Sequence, residues 1–297
     1  MRRWLVSITF LLVAALGFGT QGSPPAAGED AGPTAARPYE LEVPAGYDGS
    51  RAVPLVVLLH GYSSNGPTQN GYFRLSAEAD RATFLLAYPN GTRDLMGNRF
   101  WNATDACCDF YASGVDDVAY LGAVLDDIEA RYRVDPARVY LVGHSNGAFM
   151  AHRFACDRPG RVAAIVTLAG MQWKDPGRCG ASSPVSVLHV HGKEDGTIHY
   201  EGGSTPKGGY PGAVETAGTW AGRNACSGSL TPTDRRIDLD STVAGEETTV
   251  DRYNCPGGLD VELWSIVDGG HIPAFNGNWA PAIWEFMAAH PKAGPTG

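Results

Sequence analysis

From Pro38 onward, short apolar runs alternate with longer stretches whose apolar positions recur every three or four residues. The runs Leu55–Leu59, Thr83–Tyr88, Arg138–Val142, Ala163–Leu168, Val185–Val190 and Val261–Val267 predict strands, and Thr248–Asn254 predicts one more. The stretches Phe73–Arg81, Asp117–Arg131, Gly147–Cys156, Ala213–Asn224 and Ala280–Ala289 predict helices. Such alternation predicts an α/β fold, a mostly parallel central sheet covered by helices on both faces. Two connections stand out. Between Leu168 and Val185 there is room only for a short loop, so no helical cap domain fits there. The Pro89–Gly114 segment is long, and a loop of that length in a compact domain is usually functional or stapled.

The first 22 residues have a different character. Arg2 and Arg3 precede an apolar run from Trp4 to Phe18, and small residues follow, the pattern of a secretory signal. The run is too short for a comfortable membrane span. Residues 23–37, rich in Pro, Ala and Gly, read as a disordered spacer. Residues 38–291 are then expected to form one α/β domain and 292–297 a frayed tail. The formal net charge is −9, and two units more negative without Arg2 and Arg3. No basic cluster offers a footprint for nucleic acid or an anionic membrane, so neither is an expected partner. The six cysteines sit at 107, 108, 156, 179, 226 and 255. After an export signal an even count predicts disulfides. Cys226 follows a helix and Cys255 ends a strand, so these two are expected to pair and to brace the segment leading to His271. The other four are expected to tie the Cys107–Cys108 loop to Cys156 and Cys179, in an order the sequence leaves open.

The strongest chemical signal is Gly143-x-Ser145-x-Gly147, set between an apolar strand and a helix. A turn that tight needs glycines, and it holds the serine hydroxyl exposed at the carboxyl edge of the sheet. A serine attacks only when a base takes its proton, and in this arrangement acid and then base follow the nucleophile in the chain. Asp195, just past the Val185–Val190 strand, fits the acid, with Glu194 and Asp268 as competitors. His271, behind Gly269 and Gly270 after the last strand, fits the base. His152, His199 and His290 are expected at the surface. The backbone N–H groups of Asn146 and Tyr62 are placed to form an oxyanion hole, with His60 shaping the turn before Tyr62. His189 and His191 face the same way on one strand, as in some metal sites, but no further ligands are convincingly placed, so neither metal nor cofactor is expected.

These residues resemble a known family, the secreted esterases related to polyhydroxybutyrate depolymerases and to feruloyl and acetylxylan esterases. The resemblance covers roughly Tyr39 to Ala289. It rests on Leu59-His-Gly-Tyr62, Tyr88-Pro-Asn-Gly91, Phe100-Trp-Asn-Ala103, Cys107-Cys108, Val115-Asp-Asp-Val118, Gly143-His-Ser-Asn-Gly147, His191-Gly-x-x-Asp195 and Gly269-Gly-His271. Members often continue the last motif with Thr-Trp-Pro, where this chain has Ile272-Pro273-Ala274. The resemblance implies hydrolysis of carboxylic esters through an acyl-enzyme, without a cofactor. Lacking a cap, the site would admit a bulky or polymeric ester, with Trp101, Tyr62, Tyr111 and the Glu201–Gly212 loop as an aromatic, apolar cleft. A monomer is expected. The competing reading is an envelope-associated acyltransferase or binding protein that keeps the fold with a weakened triad.

Overall fold

The computed structural model describes residues 33–180 and 183–292. The expected signal, most of the spacer and most of the tail lie outside them. Thirteen strands and seven helices follow one another along the described chain. The chain opens with α1 (Pro33–Ala36), β1 (Glu40–Glu42), β2 (Val53–Leu59), α2 (Gly66–Phe73), α3 (Leu75–Ala82) and β3 (Leu85–Tyr88). A small hairpin, β4 (Thr92–Arg93) and β5 (Arg99–Phe100), leads to α4 (Asp117–Arg131). Then come β6 (Val134–His144), α5 (Asn146–Asp157), β7 (Ala164–Leu168) and β8 (Ser186–Gly192). A second hairpin, β9 (Gly203–Thr205) and β10 (Gly208–Tyr210), precedes α6 (Ala213–Arg223). The chain ends with β11 (Ser227–Ile237), β12 (Thr248–Asn254), β13 (Val261–Ile266) and α7 (Trp279–Ala289).

Nine strands form one sheet in the order β1-β3-β2-β6-β7-β8-β13-β12-β11. From β3 to β13 all neighbours are parallel, while β1, β12 and β11 add antiparallel edges. Every residue of β2, β7, β8 and β13 is buried, as a sheet covered on both faces requires. In β2, Leu55, Val57 and Leu59 point into a core shared with α4, α5 and α6. Val56 and Leu58 point the other way, into a core shared with α3 and α7. The fold class is thus the expected one, a mostly parallel α/β sheet with helices on both faces. The connection from β7 to β8 holds only a 3₁₀ turn, Pro176–Arg178, among its described residues.

Several expectations are corrected. The helix predicted over Phe73–Arg81 starts at Leu75, because Arg74 takes a left-handed conformation (φ 56°) that ends a preceding helix, α2, which the pattern did not announce. The start of α2 is signalled by Asn65, whose side chain caps the Thr68 amide ahead of Pro67. Strands β1 and β11 were not anticipated, since both are edge strands with little burial and no apolar run. The expected spacer ends early. Residues 33–36 form a helical turn, and the Arg37 guanidinium pairs with buried Asp117 while lying over the Tyr120 ring.

The cysteines also differ. Cys226 and Cys255 are bonded, but Cys156 pairs with Cys179 and Cys107 with Cys108. The loop after β7 folds back over the end of α5 and brings the Cys156 and Cys179 Cα atoms to 5.1 Å, well within disulfide range. The Cys226–Cys255 bridge does not brace the His271 segment. Cys255 precedes β13 whereas His271 follows it, and six residues of strand separate the two ends by about 20 Å.

Candidate active site

The chain leaves β6 at His144 and enters α5 at Asn146, so Ser145 carries the whole turn. It does so at φ 54°, ψ −120°, with its N–H donating to the Leu168 carbonyl at 2.8 Å. A side chain on Gly143 would run into the Gly147 carbonyl, and one on Gly147 into the Leu59 carbonyl. Both glycines are therefore dictated by close backbone approach, and the strained serine is held by its surroundings.

The other two predicted residues meet this serine. His271 Nε2 lies 3.0 Å from Ser145 Oγ, and His271 Nδ1 lies 2.7 Å from Asp195 Oδ2. Asp195 is buried. Its Oδ1 accepts the backbone N–H groups of Thr197 and Ile198 at 2.8 and 2.9 Å. Burial alone would raise its carboxyl. Hydrogen bonds from His191 and His271 more than offset that and hold it well below the usual carboxylate range. Of the competitors, Glu194 and Asp268 are exposed.

The backbone amides of Tyr62 and Asn146 find no protein acceptor among the described residues. The turn carrying Tyr62 is tightly built. His60 is buried, bonds Gly61 O through Nδ1 at 2.8 Å, and accepts the Gly91 N–H on Nε2 at 2.9 Å. Burial pushes this histidine down to about 4, so it is neutral and can accept that bond. Gln69 accepts the Gly61 N–H at 3.3 Å.

Trp101 does not line a cleft. It is wholly buried, its indole N–H donates to His60 O at 3.0 Å, and its backbone exchanges two hydrogen bonds with the Asn146 side chain at 2.7 and 2.9 Å. Trp101 thus bridges the segment that leads to Tyr62 and the first residue of α5. Tyr62 does line the cleft beside the serine, a depression of about 540 Å³ bordered also by Gly61, Tyr72, Ser145, His271 and Ile272. Tyr111 is exposed, and the Glu201–Gly212 loop is the β9–β10 hairpin, docked through Thr205 on the Ala106 carbonyl.

Two residues that hold the 271–273 segment were not singled out in the sequence. His144 Nε2 lies 3.1 Å from the His271 carbonyl, and burial pushes His144 down to about 4. Its Nε2 therefore carries a proton and donates it to that carbonyl, tying the serine turn to the His271 segment. Tyr72 on α2 donates to Pro273 O at 2.8 Å and stacks on Phe275. The residue between the glycine and serine of the motif was the available signal for His144. For Tyr72 it was the Asn65–Pro67 helix start.

His189 and His191 are buried neighbours whose ring nitrogens meet each other, Thr167, Ile198 and Asp195. His152, expected at the surface, is fully buried and accepts the Trp220 indole N–H at 2.9 Å. Its place on the inner face of α5 leaves it no route outward. Among the described residues no helix is long and apolar enough to cross a membrane.

Comparison with known proteins gives consistent results. A family described as Esterase PHB depolymerase matches residues 37–203, which include Ser145 and Asp195 and stop before His271. Feruloyl esterase C of Emericella nidulans is 28% identical over 263 residues, covering 85% of this chain and 84% of that one. Feruloyl esterase B of Piromyces equi is 27% identical over 239 residues, covering 78% of this chain but only 42% of that longer protein. Among solved structures, acetyl xylan esterase from Aspergillus awamori superposes with a TM-score of 0.61 at 16% identity. It covers 84% of this chain and 93% of that one, and shares the fold.

Proposed function

The chain belongs to the PHB depolymerase family of esterases, and from that premise we propose that it is a secreted serine hydrolase acting on esters carried by bulky or polymeric substrates. Ser145 is the nucleophile, His271 the base and Asp195 the residue that orients and stabilises the imidazole. The observation that carries the reading is the unbroken line of hydrogen bonds from Ser145 Oγ through His271 to Asp195. In the first step the Ser145 oxygen bonds to the ester carbonyl carbon while its proton passes to His271 Nε2. The carbonyl oxygen becomes an oxyanion, met by the Tyr62 amide in the turn after β2 and by the Asn146 amide at the N-terminus of α5. Collapse expels the alcohol, protonated by His271. Water activated by the same imidazole then releases the acid and restores Ser145.

The substrate class is read from the mouth of the cleft. Ile272 is 67% exposed beside the serine, and Tyr62 and Tyr72 form part of the wall, so a substrate meets an open, partly apolar surface. Polyesters of 3-hydroxyacids and feruloyl or acetyl esters of plant-wall polysaccharides both fit such a mouth, the latter in line with the names of the relatives. Secretion is supported by the disulfides, which persist in oxidising compartments.

The test is Ser145→Ala. It should abolish hydrolysis of p-nitrophenyl esters and labelling by a fluorophosphonate while the protein stays folded. Labelling that survives the substitution would remove Ser145 as nucleophile. Release of ferulate, acetate or 3-hydroxybutyrate from the respective polymers then assigns the substrate.

A further inference from the structure

Behind the carboxylate of Asp195 lies a buried chain of side chains that the mechanism above leaves unused. His191 Nε2 sits 2.8 Å from the Ile198 carbonyl and 3.2 Å from Asp195 Oδ2. Both neighbours are oxygen acceptors, so this nitrogen carries a proton. On the other side of the ring, His191 Nδ1 is 3.3 Å from His189 Nε2. His189 Nδ1 in turn is 2.9 Å from the Thr167 hydroxyl, whose alternative acceptor, Leu188 O, is farther at 3.4 Å. Both histidines are fully buried on the same face of β8, while Val190 between them points to the other. All the hydrogen bonds can be satisfied at once if each group donates towards the acid. Thr167 then donates to His189, His189 to His191, and His191 to Asp195.

We propose that His191 is a positioning residue for the Asp195–His271 pair, held in its donor tautomer by His189 and Thr167. The proposal rests on the triad reading above. A carboxylate buried beside one imidazole can turn about its own bond and lose the line to the base. With the backbone N–H groups of Thr197 and Ile198 on Oδ1 and two imidazoles on Oδ2, all four donors fix one orientation. The other groups facing His191 are the edge of the Tyr200 ring, at 5.7 Å between centroids, and Ser265, its register partner on β13. Tyr200 bonds to the Ser265 hydroxyl, and His152 lies beyond His189 at 6.0 Å. No carboxylate besides Asp195 meets this chain among the described residues. A relay of this kind also gives the strand residues a reason to be histidines that does not involve a metal.

Removing one charge-assisted donor is worth about ten- to a hundredfold in rate. His191→Leu should therefore lower kcat by about that factor with KM little changed. Losing a donor makes the Asp195 carboxylate a stronger acceptor for His271, so the imidazolium is favoured. The acidic limb of the kcat–pH profile should move to higher pH. His191→Gln places an amide N–H near the Nε2 position and should restore most of the rate and the limb. Wild-type kcat and limb in His191→Leu overturn the proposal. So does a loss of activity in both variants without movement of the limb, which is the mark of a packing role. If neither variant folds, imidazole ¹⁵N resonances of the wild-type protein decide. A proton on His191 Nε2 and none on Nδ1 supports the relay, and the opposite tautomer overturns it. Fluorophosphonate labelling of wild type at Ser145 keeps failure of the triad separate, because an unlabelled serine removes the nucleophile itself.

Discussion

Trp101 changes role between sequence and structure, and the change has a measurable consequence. An indole wedged under the serine turn cannot touch substrate, but its N–H holds the His60 carbonyl and its backbone holds the Asn146 amide group. Trp101→Phe keeps most of the packing and removes one buried donor. It should cost about 1–3 kcal/mol of stability. Because the affected turn carries the Tyr62 amide of the proposed oxyanion hole, kcat should fall severalfold while KM hardly moves, as expected when an interaction with developing charge is weakened. Steady-state kinetics with a soluble ester measure the split, and a rise in KM alone would return Trp101 to the cleft. The three residues of the line itself were legible because the motif spacing, chain order and strand ends all point to them. The contacts of Trp101 and His144 were not, since their partners are distant in sequence, and the motif that contains His191 does not say which way its ring nitrogens bond.

Strands of the parallel centre were readable from their apolar runs, with ends off by a few residues. The edges were not, because β1 and β11 are only partly covered and carry mixed polar residues. The same distinction between centre and edge bears on the bridge between Cys226 and Cys255, which joins the start of β11 to the end of β12. It closes a loop with a sequence separation of 29 and should contribute roughly 3 kcal/mol, in a model that assigns the gain to the unfolded chain. Replacing both cysteines by serine should lower Tm by several degrees and leave kcat unchanged, since the bridge lies at the far end of β13 from His271. A matching loss of kcat at a temperature where the variant is folded would show that the sheet transmits the change.

Buried histidines govern how the whole molecule responds to acid. Burial pushes His60 and His144 down to about 4 and His152 to about 3, and lowers His189 well below the usual imidazole range. Each is neutral in the folded state, whereas in the unfolded chain each takes up a proton near pH 6.5. Between about pH 6.5 and 4 the unfolded state therefore binds more protons, and stability falls as pH falls. His60 and His144 each account for roughly 3 kcal/mol of that loss by pH 4. Below about pH 4 the depressed Asp195 carboxyl adds to it, because its stabilisation is present above its unfolded pKa and is lost towards its folded one. Thermal unfolding scans from pH 8 to pH 4 should show a steep decline of Tm below pH 6.5. A flat profile down to pH 5 would mean that these rings are not kept neutral.

With no cap among the described residues between β7 and β8 and with Ile272 projecting outward, the described fold leaves the ester proposed to form on Ser145 open to the medium. The acyl group must then partition between whatever nucleophiles reach it. Water wins in dilute solution by its concentration alone, but an added alcohol competes for the same carbonyl carbon and the same His271. Raising methanol or glycerol should accelerate release of the alcohol leaving group wherever deacylation limits turnover, and should yield the new ester in proportion to the alcohol present. Gas chromatography of the products gives the ratio directly. A product mixture that stays purely acid would reveal a water-selecting wall that the fold does not display.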